Sequence, residues 1–156
     1  MAWSNSKVFS QFVLAALDRT TAHDLDTDVP KVALFNNTPT PDNTVSLANS
    51  ADNVGQWATA NEVFEAGQWA QGGVVLAGHD VTTATTTVTF DANDTASGSA
   101  ADLANVFGCL VYNDTIVTPT ADPGISYNYL GGANSIVNGT FTVVWAVAGI
   151  LSVSVA

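Results

Sequence analysis

Three alternating aspartates are the side chains of this sequence best placed to bind a metal ion. Asp24, Asp26 and Asp28 occur in DLDTDV, and in an extended chain their carboxylates project from one side. A calcium loop of the EF-hand type is not matched, because its sixth position would be Val29 and its twelfth Phe35. We therefore favour a solvated acidic edge that blocks strand aggregation, and we predict no metal and no cofactor.

The histidines and glutamates offer little for acid–base catalysis. His23 and His79 are each followed by an aspartate, but adjacent residues of a strand point to opposite faces, so neither pair forms a ready dyad. Glu62 and Glu65 are the only glutamates, and they are three residues apart in a region with no clear helix. The sequence contains no nucleophile elbow, zinc-protease motif or phosphate-binding loop. We predict that the chain is not an enzyme.

Several aromatic side chains are candidates for a contact surface. Trp57 and Trp69 lie near predicted loops, whereas Trp145 lies in an apolar, strand-like run. Together with Tyr127 and Tyr129 these rings could form a platform that binds sugars. We predict that Trp145 belongs to the core and that Trp57 and Trp69 contribute to a contact surface.

One amphipathic helix is predicted at residues 6–18. Its apolar residues recur with helical spacing and form one face: Val8, Phe9, Phe12, Val13, Ala16 and Leu17. We expect this face to bury against the protein's own sheet, and a neighbouring subunit is the second interpretation.

The rest of the chain reads as short strands separated by turn signals. Strands are predicted at 31–36, 74–77, 81–90, 105–114 and 125–130. The strands at 74–77 and 81–90 are expected to form a hairpin. Surface loops or turns are predicted at 42–60, 91–102 and 131–139.

The uncharged ending FTVVWAVAGILSVSVA, residues 141–156, raises the question of a membrane anchor. A spanning helix needs about 20 apolar residues, and this run is shorter. Its β-branched residues alternate with period two, and Gly149 fits a bend between two half-strands. We predict one or two buried strands and no membrane association.

Length and composition indicate a single mainly β domain that spans residues 1–156. We predict an antiparallel β-sandwich or small barrel with one N-terminal amphipathic helix. Fourteen acidic residues face three basic ones, and a net charge of −11 disfavours binding to nucleic acid. The lone Cys109 is expected to be a buried small hydrophobe. The N-terminal sequence lacks the basic start of a secretory signal.

The order of several sequence blocks resembles a family of small structural proteins of tailed bacteriophages, the head decoration or capsid cement proteins. The blocks are KVFSQFVLAAL, VPKVALFNNTPTPD, NEVFEAGQWAQGGVVLAG, FGCLVYND and GTFTVVWAVAGILSVSVA. The most specific is NEVFEAGQWAQGGVVLAG, in which Glu-Val, an aromatic residue and a Gly pair precede a strand. The family has no catalytic residue to carry over.

The resemblance implies a protein that is made in the host cytoplasm and that decorates the exterior of the virion capsid. Its implied partners are the major capsid protein and further copies of itself, with a trimer favoured. We expect the interface anchors to be Phe64, Trp57 and Trp69, with the helix face around Phe9 and Phe12 as second choice. The alternative function is a tail or head-fibre component that binds host surface glycans.

Overall fold

The structure, a computed structural model, describes residues 3–155. It is mainly β with antiparallel pairing and carries one N-terminal helix, which confirms the predicted fold class. Its strands in chain order are β1 Lys7–Val8, β2 Pro30–Phe35, β3 Glu62–Val63, β4 Val74–Val75, β5 Asp80–Ala84, β6 Thr87–Asp91, β7 Thr95–Ala96, β8 Ala101–Asn113, β9 Gly124–Gly139, β10 Thr142–Val143 and β11 Leu151–Ser154. Its helices are α1 Ser10–Asp18, α2 Leu47–Ser50 and two 3-10 turns at Gly55–Trp57 and Thr59–Asn61.

A six-stranded sheet forms the centre of the fold. Its order is β1-β9-β8-β2-β3, and β4 also pairs with β2. Residues 32–35 of β2 and the β8 residues that face them are apolar or glycine, and all are buried, as in the pair Leu34 and Cys109. Such continuous apolar runs form strands that are covered on both faces. This sheet therefore holds much of the hydrophobic core.

Two smaller sheets complete the described fold. The two-stranded sheet pairs β10 with β7, and the three-stranded sheet has the order β11-β6-β5. Phe90 of β6 and Ile150, just before β11, belong to the same buried cluster as the central sheet. The hydrophobic core is therefore continuous between the central and the three-stranded sheets.

The predicted strand at 81–90 is wrong as a single strand. It folds back on itself into the β5–β6 hairpin, and Thr85 in the turn has a φ of +54°. The hairpin predicted between 74–77 and 81–90 is also wrong, because Val74 and Val75 pair with β2. Threonines are common in both strands and loops, so the pattern gave no turn signal.

The turn predicted at 131–139 is likewise wrong, because β9 continues through it. This strand crosses Gly131 and Gly132, both with positive φ, and its register against β8 shifts at several irregular positions. Glycines within a strand often mark such bulges rather than its end.

The helix is confirmed, but it begins later than predicted. Lys7 and Val8 pair with β9 as β1, and Phe9 is the residue before the helix, with extended backbone angles. The helix ends at Asp18, and the next residue, Arg19, caps it with a left-handed φ of +61° in place of a glycine.

The C-terminal segment forms two short strands, as predicted, but it is much less buried than predicted. Val143 is buried, whereas Val144, Val147, Val153 and Val155 are exposed. No helix within residues 3–155 is long and apolar enough to cross a membrane.

Candidate functional site

Trp57 lies at the centre of a buried aromatic cluster. The ring centroids of Trp3, Phe35 and Phe9 lie 5.8, 5.1 and 6.2 Å from that of Trp57. Tyr127 completes the cluster at 6.3 Å. The prediction that Trp57 presents an exposed ring is therefore wrong, because aromatic residues distant in sequence surround the ring.

Trp69 is also buried, so the prediction that it contributes to a contact surface is wrong too. Its ring packs edge-on against Phe141 at 6.2 Å. An isolated bridge between Glu65 and Trp69 closes a tight turn that directs the indole inward. Position near a loop thus misled the sequence interpretation for both tryptophans.

The helix buries the face that contains Phe12 and begins beside the buried Phe9. Phe9 packs at 5.5 Å from Tyr127 of the central sheet, and Phe12 packs at 4.9 Å from His23. The preferred interpretation, burial against the protein's own sheet, is confirmed for Phe9, whereas Phe12 is buried against the segment that follows the helix. Their use as exposed anchors, the second choice, is wrong. The rest of the predicted apolar face is not buried, because Val13 and Leu17 are exposed, as is Leu14 on the other side of the helix.

Phe64 is the predicted anchor that the structure leaves accessible, with 41% of its surface exposed. It directly follows β3, on a loop that hydrogen bonds connect to residues 98–102. Gly98 N–H donates to the Gln68 carbonyl, and Asp102 N–H donates to Glu65 Oε2 at 2.6 Å. At the loop's end a Cβ on Gly73, whose φ is +82°, would meet Val32 O at 2.3 Å. The loop therefore presents Phe64 from an ordered support.

Glu62 on β3 and Glu65 on the following loop both accept hydrogen bonds from backbone N–H groups. Glu62 Oε1 accepts from Gly72 N–H at 2.6 Å, and the Tyr112 hydroxyl donates to the Gly72 carbonyl. Burial raises the pKa of Glu62 to about 7, although the Gly72 N–H acts in the opposite direction. Burial likewise raises the pKa of Asp52 to about 6. Both carboxyl groups thus lie in partly desolvated positions.

The three alternating aspartates do not form the extended, solvated edge that was predicted. The segment is a turn, in which Thr27 and Asp28 N–H donate to the Asp24 carbonyl. Asp26 Oδ1 accepts from Val81 N–H at 2.7 Å, which ties the turn to β5. Within residues 3–155 no group of three or more metal-binding side chains is found.

Asp28 is buried and forms the centre of a polar network. Asp28 Oδ2 accepts from Asn113 Nδ2 at 2.6 Å and from Asp24 N–H at 2.9 Å. The same Asn113 nitrogen lies 3.2 Å from His23 Nδ1, and burial lowers the pKa of His23. The network ties the segment after the helix to the end of β8. His79 is separate from it, with Nδ1 2.7 Å from the Leu76 carbonyl.

The sugar-binding platform considered from the sequence does not form as one surface, because Trp57, Trp69 and Tyr127 are buried. Tyr129 and Trp145, however, line a common groove of about 300 Å³ with Asn128 and Ser6. Trp145 is half-buried, and its Nε1 donates to Thr95 Oγ1 at 3.3 Å.

A second groove, not predicted from the sequence, lies between the helix and the C-terminal strand. It has a volume of about 310 Å³ and a nearly apolar lining: Val8, Phe12, Val13, Ala16, Leu17, Leu151, Ser152 and Val153. The sequence contained a sign of this groove, because the predicted apolar face of the helix is too wide to be covered by contact with a single sheet.

Comparisons with protein-family models, with curated proteins and with solved structures find no match to this chain.

Proposed function

We propose that this chain is a virion structural protein that decorates the outer surface of a tailed-phage capsid and stabilises it by bridging major capsid protein subunits. The observation that carries the proposal is Phe64, an exposed aromatic ring on an ordered loop. Aromatic side chains on rigid supports make efficient interface anchors, because little conformational entropy is lost on binding.

The sequence blocks and the surface charge support the same proposal. The loop that presents Phe64 belongs to NEVFEAGQWAQGGVVLAG, the block with the most specific resemblance to head decoration proteins. A net charge of −11 also suits a shell protein, since like charge keeps particles apart in solution.

Co-sedimentation with expanded capsids and with mature virions tests the proposal. We expect the wild-type chain to bind in a stoichiometry that matches the capsid lattice. Phe64→Ala should weaken binding about tenfold or more, while lowering the free energy of unfolding by only about 1–2 kcal/mol, because part of the ring is covered in the free chain. Val117→Ala, which also truncates an exposed apolar side chain, is the matched control. Absence of the wild-type chain from the capsid pellet contradicts the proposal.

Host glycan binding by a tail or head-fibre component is the second candidate. The groove that contains Tyr129, Trp145 and Asn128 favours it, because sugars bind to aromatic faces flanked by amide groups. Retention on host cell-wall fragments, lost in Tyr129→Ala but kept in Phe64→Ala, would support this candidate over capsid decoration.

A further inference from the structure

Two of the register shifts between β8 and β9 are bulges that contain an asparagine. At the first, Asn138 and the residue before it lie opposite the single residue Asp102. At the second, Asn105 and the residue before it lie opposite the single residue Ser135. The extra residue of a bulge is left out of the ladder of backbone hydrogen bonds, so its backbone is held less firmly than that of a paired residue.

The two asparagines have the same local conformation and similar surroundings. Both are exposed, and φ is +49° at Asn138 and +58° at Asn105. Each donates its backbone N–H to the side chain of the residue opposite. The acceptors are Asp102 Oδ1 for Asn138, at 2.6 Å, and Ser135 Oγ for Asn105, at 3.0 Å. The two residues are therefore a matched pair within one chain.

The following residue distinguishes the two asparagines. Asn138 precedes Gly139 in the only Asn-Gly step of the sequence, whereas Asn105 precedes Val106. The backbone nitrogen of the following residue can attack an asparagine side chain, and a side chain on that residue obstructs the approach. Glycine has no side chain and bends freely, whereas a β-branched valine crowds the backbone. Gly139 is also the last residue of β9, and the ends of elements open most easily.

We propose that Asn138 is a site of spontaneous deamidation, a covalent modification that requires no enzyme. The Gly139 nitrogen loses its proton to the solvent and attacks Asn138 Cγ. A C–N bond forms, the bond from Cγ to Nδ2 breaks, and Nδ2 takes up a proton and leaves as ammonia, which gives a cyclic succinimide. Water then opens the ring. Cleavage at Cγ gives aspartate, and cleavage at the main-chain carbonyl carbon gives isoaspartate. The reaction needs only water and goes beyond the proposed function.

The modification would also affect the loop that presents Phe64. Asp102 accepts from Asn138 N–H and donates its own N–H to Glu65 Oε2 of that loop at 2.6 Å. A carboxylate at position 138 would lie opposite the carboxylate of Asp102, and like charges directly opposite each other in a sheet are destabilising. Isoaspartate also lengthens the main chain by one carbon. Asn138→Asp, which copies the aspartate product, should therefore melt at a lower temperature than the wild-type chain.

Peptide mapping by mass spectrometry tests the proposal on the purified full chain. The chain is kept at physiological temperature in mildly alkaline buffer, which favours loss of the Gly139 proton, and is then digested with pepsin in acid, where the reaction is slow. We expect Asn138 to be converted about tenfold or more faster than Asn105, with the change in mass of an NH2 group replaced by OH. Asn138→Asp serves as the chromatographic standard that separates aspartate from isoaspartate.

A second variant tests the role of the glycine. Gly139→Ala keeps Asn138 and should slow its conversion about tenfold. The added Cβ would meet the side chain of Ile136 at 2.8 Å, and the flexible end of that side chain can move aside. Circular dichroism checks that the variant is folded. If it is not, the comparison of Asn138 with Asn105 in the wild-type chain still decides.

Three results would overturn the proposed site. The first is conversion of Asn138 no faster than that of Asn105, and the second is unchanged conversion in Gly139→Ala. The third is conversion in a synthetic peptide of residues 135–142 but not in the folded chain, which would show that the fold protects Asn138. Equal melting temperatures of Asn138→Asp and wild type would contradict the effect on the loop. None of these measurements involves a capsid, so failure of the proposed function would leave them intact.

Discussion

The central sheet and the three-stranded sheet both have apolar faces, but different amounts of protein cover those faces. In the central region, side chains such as Trp3, Phe35 and Trp57 surround one another and are buried. In the outer region Val88 and Val153, directly opposite each other, remain exposed. The burial of an apolar residue therefore depends on which segment packs against its side of the sheet, as well as on the local alternation of apolar and polar residues.

We therefore expect one set of residues to determine the stability of the chain and another set to form its contacts with other molecules. Residues of the central cluster should determine the free energy of unfolding, because each removed ring leaves a cavity. Exposed residues such as Val153 should hardly affect it, since surface substitutions usually change stability by less than about 0.5 kcal/mol.

The largest expected effect is that of Trp57→Ala. Removal of the indole at the centre of the aromatic cluster should lower the free energy of unfolding by about 3–5 kcal/mol. Urea denaturation monitored by circular dichroism measures it. Val147→Ala, which truncates a fully exposed side chain of the outer region, is the control. Equal losses in the two variants would remove the distinction between the regions.

A smaller loss of stability is expected for a variant at the point where the segment after the helix joins the central sheet. Asn113→Ala removes the Nδ2 donor from the buried carboxylate of Asp28 and the Oδ1 acceptor from Thr115 N–H. An unsatisfied buried polar group costs about 1–3 kcal/mol, so stability should fall by about that amount. Thermal unfolding measures the loss. Asn37→Ala, at an exposed position, should leave the melting temperature unchanged.

Much of the central region could be predicted from the sequence. Unbroken apolar runs such as VALF and FGCLVY predicted the buried strands that became β2 and part of β8, and the helical spacing of Phe9 and Phe12 predicted a buried face. These patterns follow from local periodicity, which a single sequence displays directly.

The candidate site was predicted less well, because exposure depends on contacts distant in sequence. Trp57 and Trp69 look like loop residues, yet distant segments enclose both rings. The C-terminal valines look like a core strand, yet nothing in the described chain covers Val147 or Val153. Only Phe64 among the predicted anchors is exposed, and local pattern does not distinguish it from the two tryptophans.

The smallest expected effect is on the pH dependence of stability, to which a buried carboxyl of the central region contributes. Burial raises the pKa of Glu62, on β3 of the central sheet, from an ordinary 4.5 to about 7. Below about pH 4.5 this carboxyl is neutral in both the folded and unfolded states. As the pH rises towards 7 it ionises first in the unfolded chain, so the folded state loses stability across that window. Glu62→Gln should therefore flatten the pH dependence.

The expected difference between wild type and Glu62→Gln is about 1 kcal/mol between pH 4.5 and 7.5, because solvent screens a carboxyl that is only partly buried. Urea denaturation at several pH values measures it. Asp52, whose raised pKa acts in the same direction, and His23, whose lowered pKa acts in the opposite direction, are present in both proteins and cancel. Parallel curves for the two proteins would show that the Glu62 carboxyl is as well solvated as the exposed side chains of the outer region.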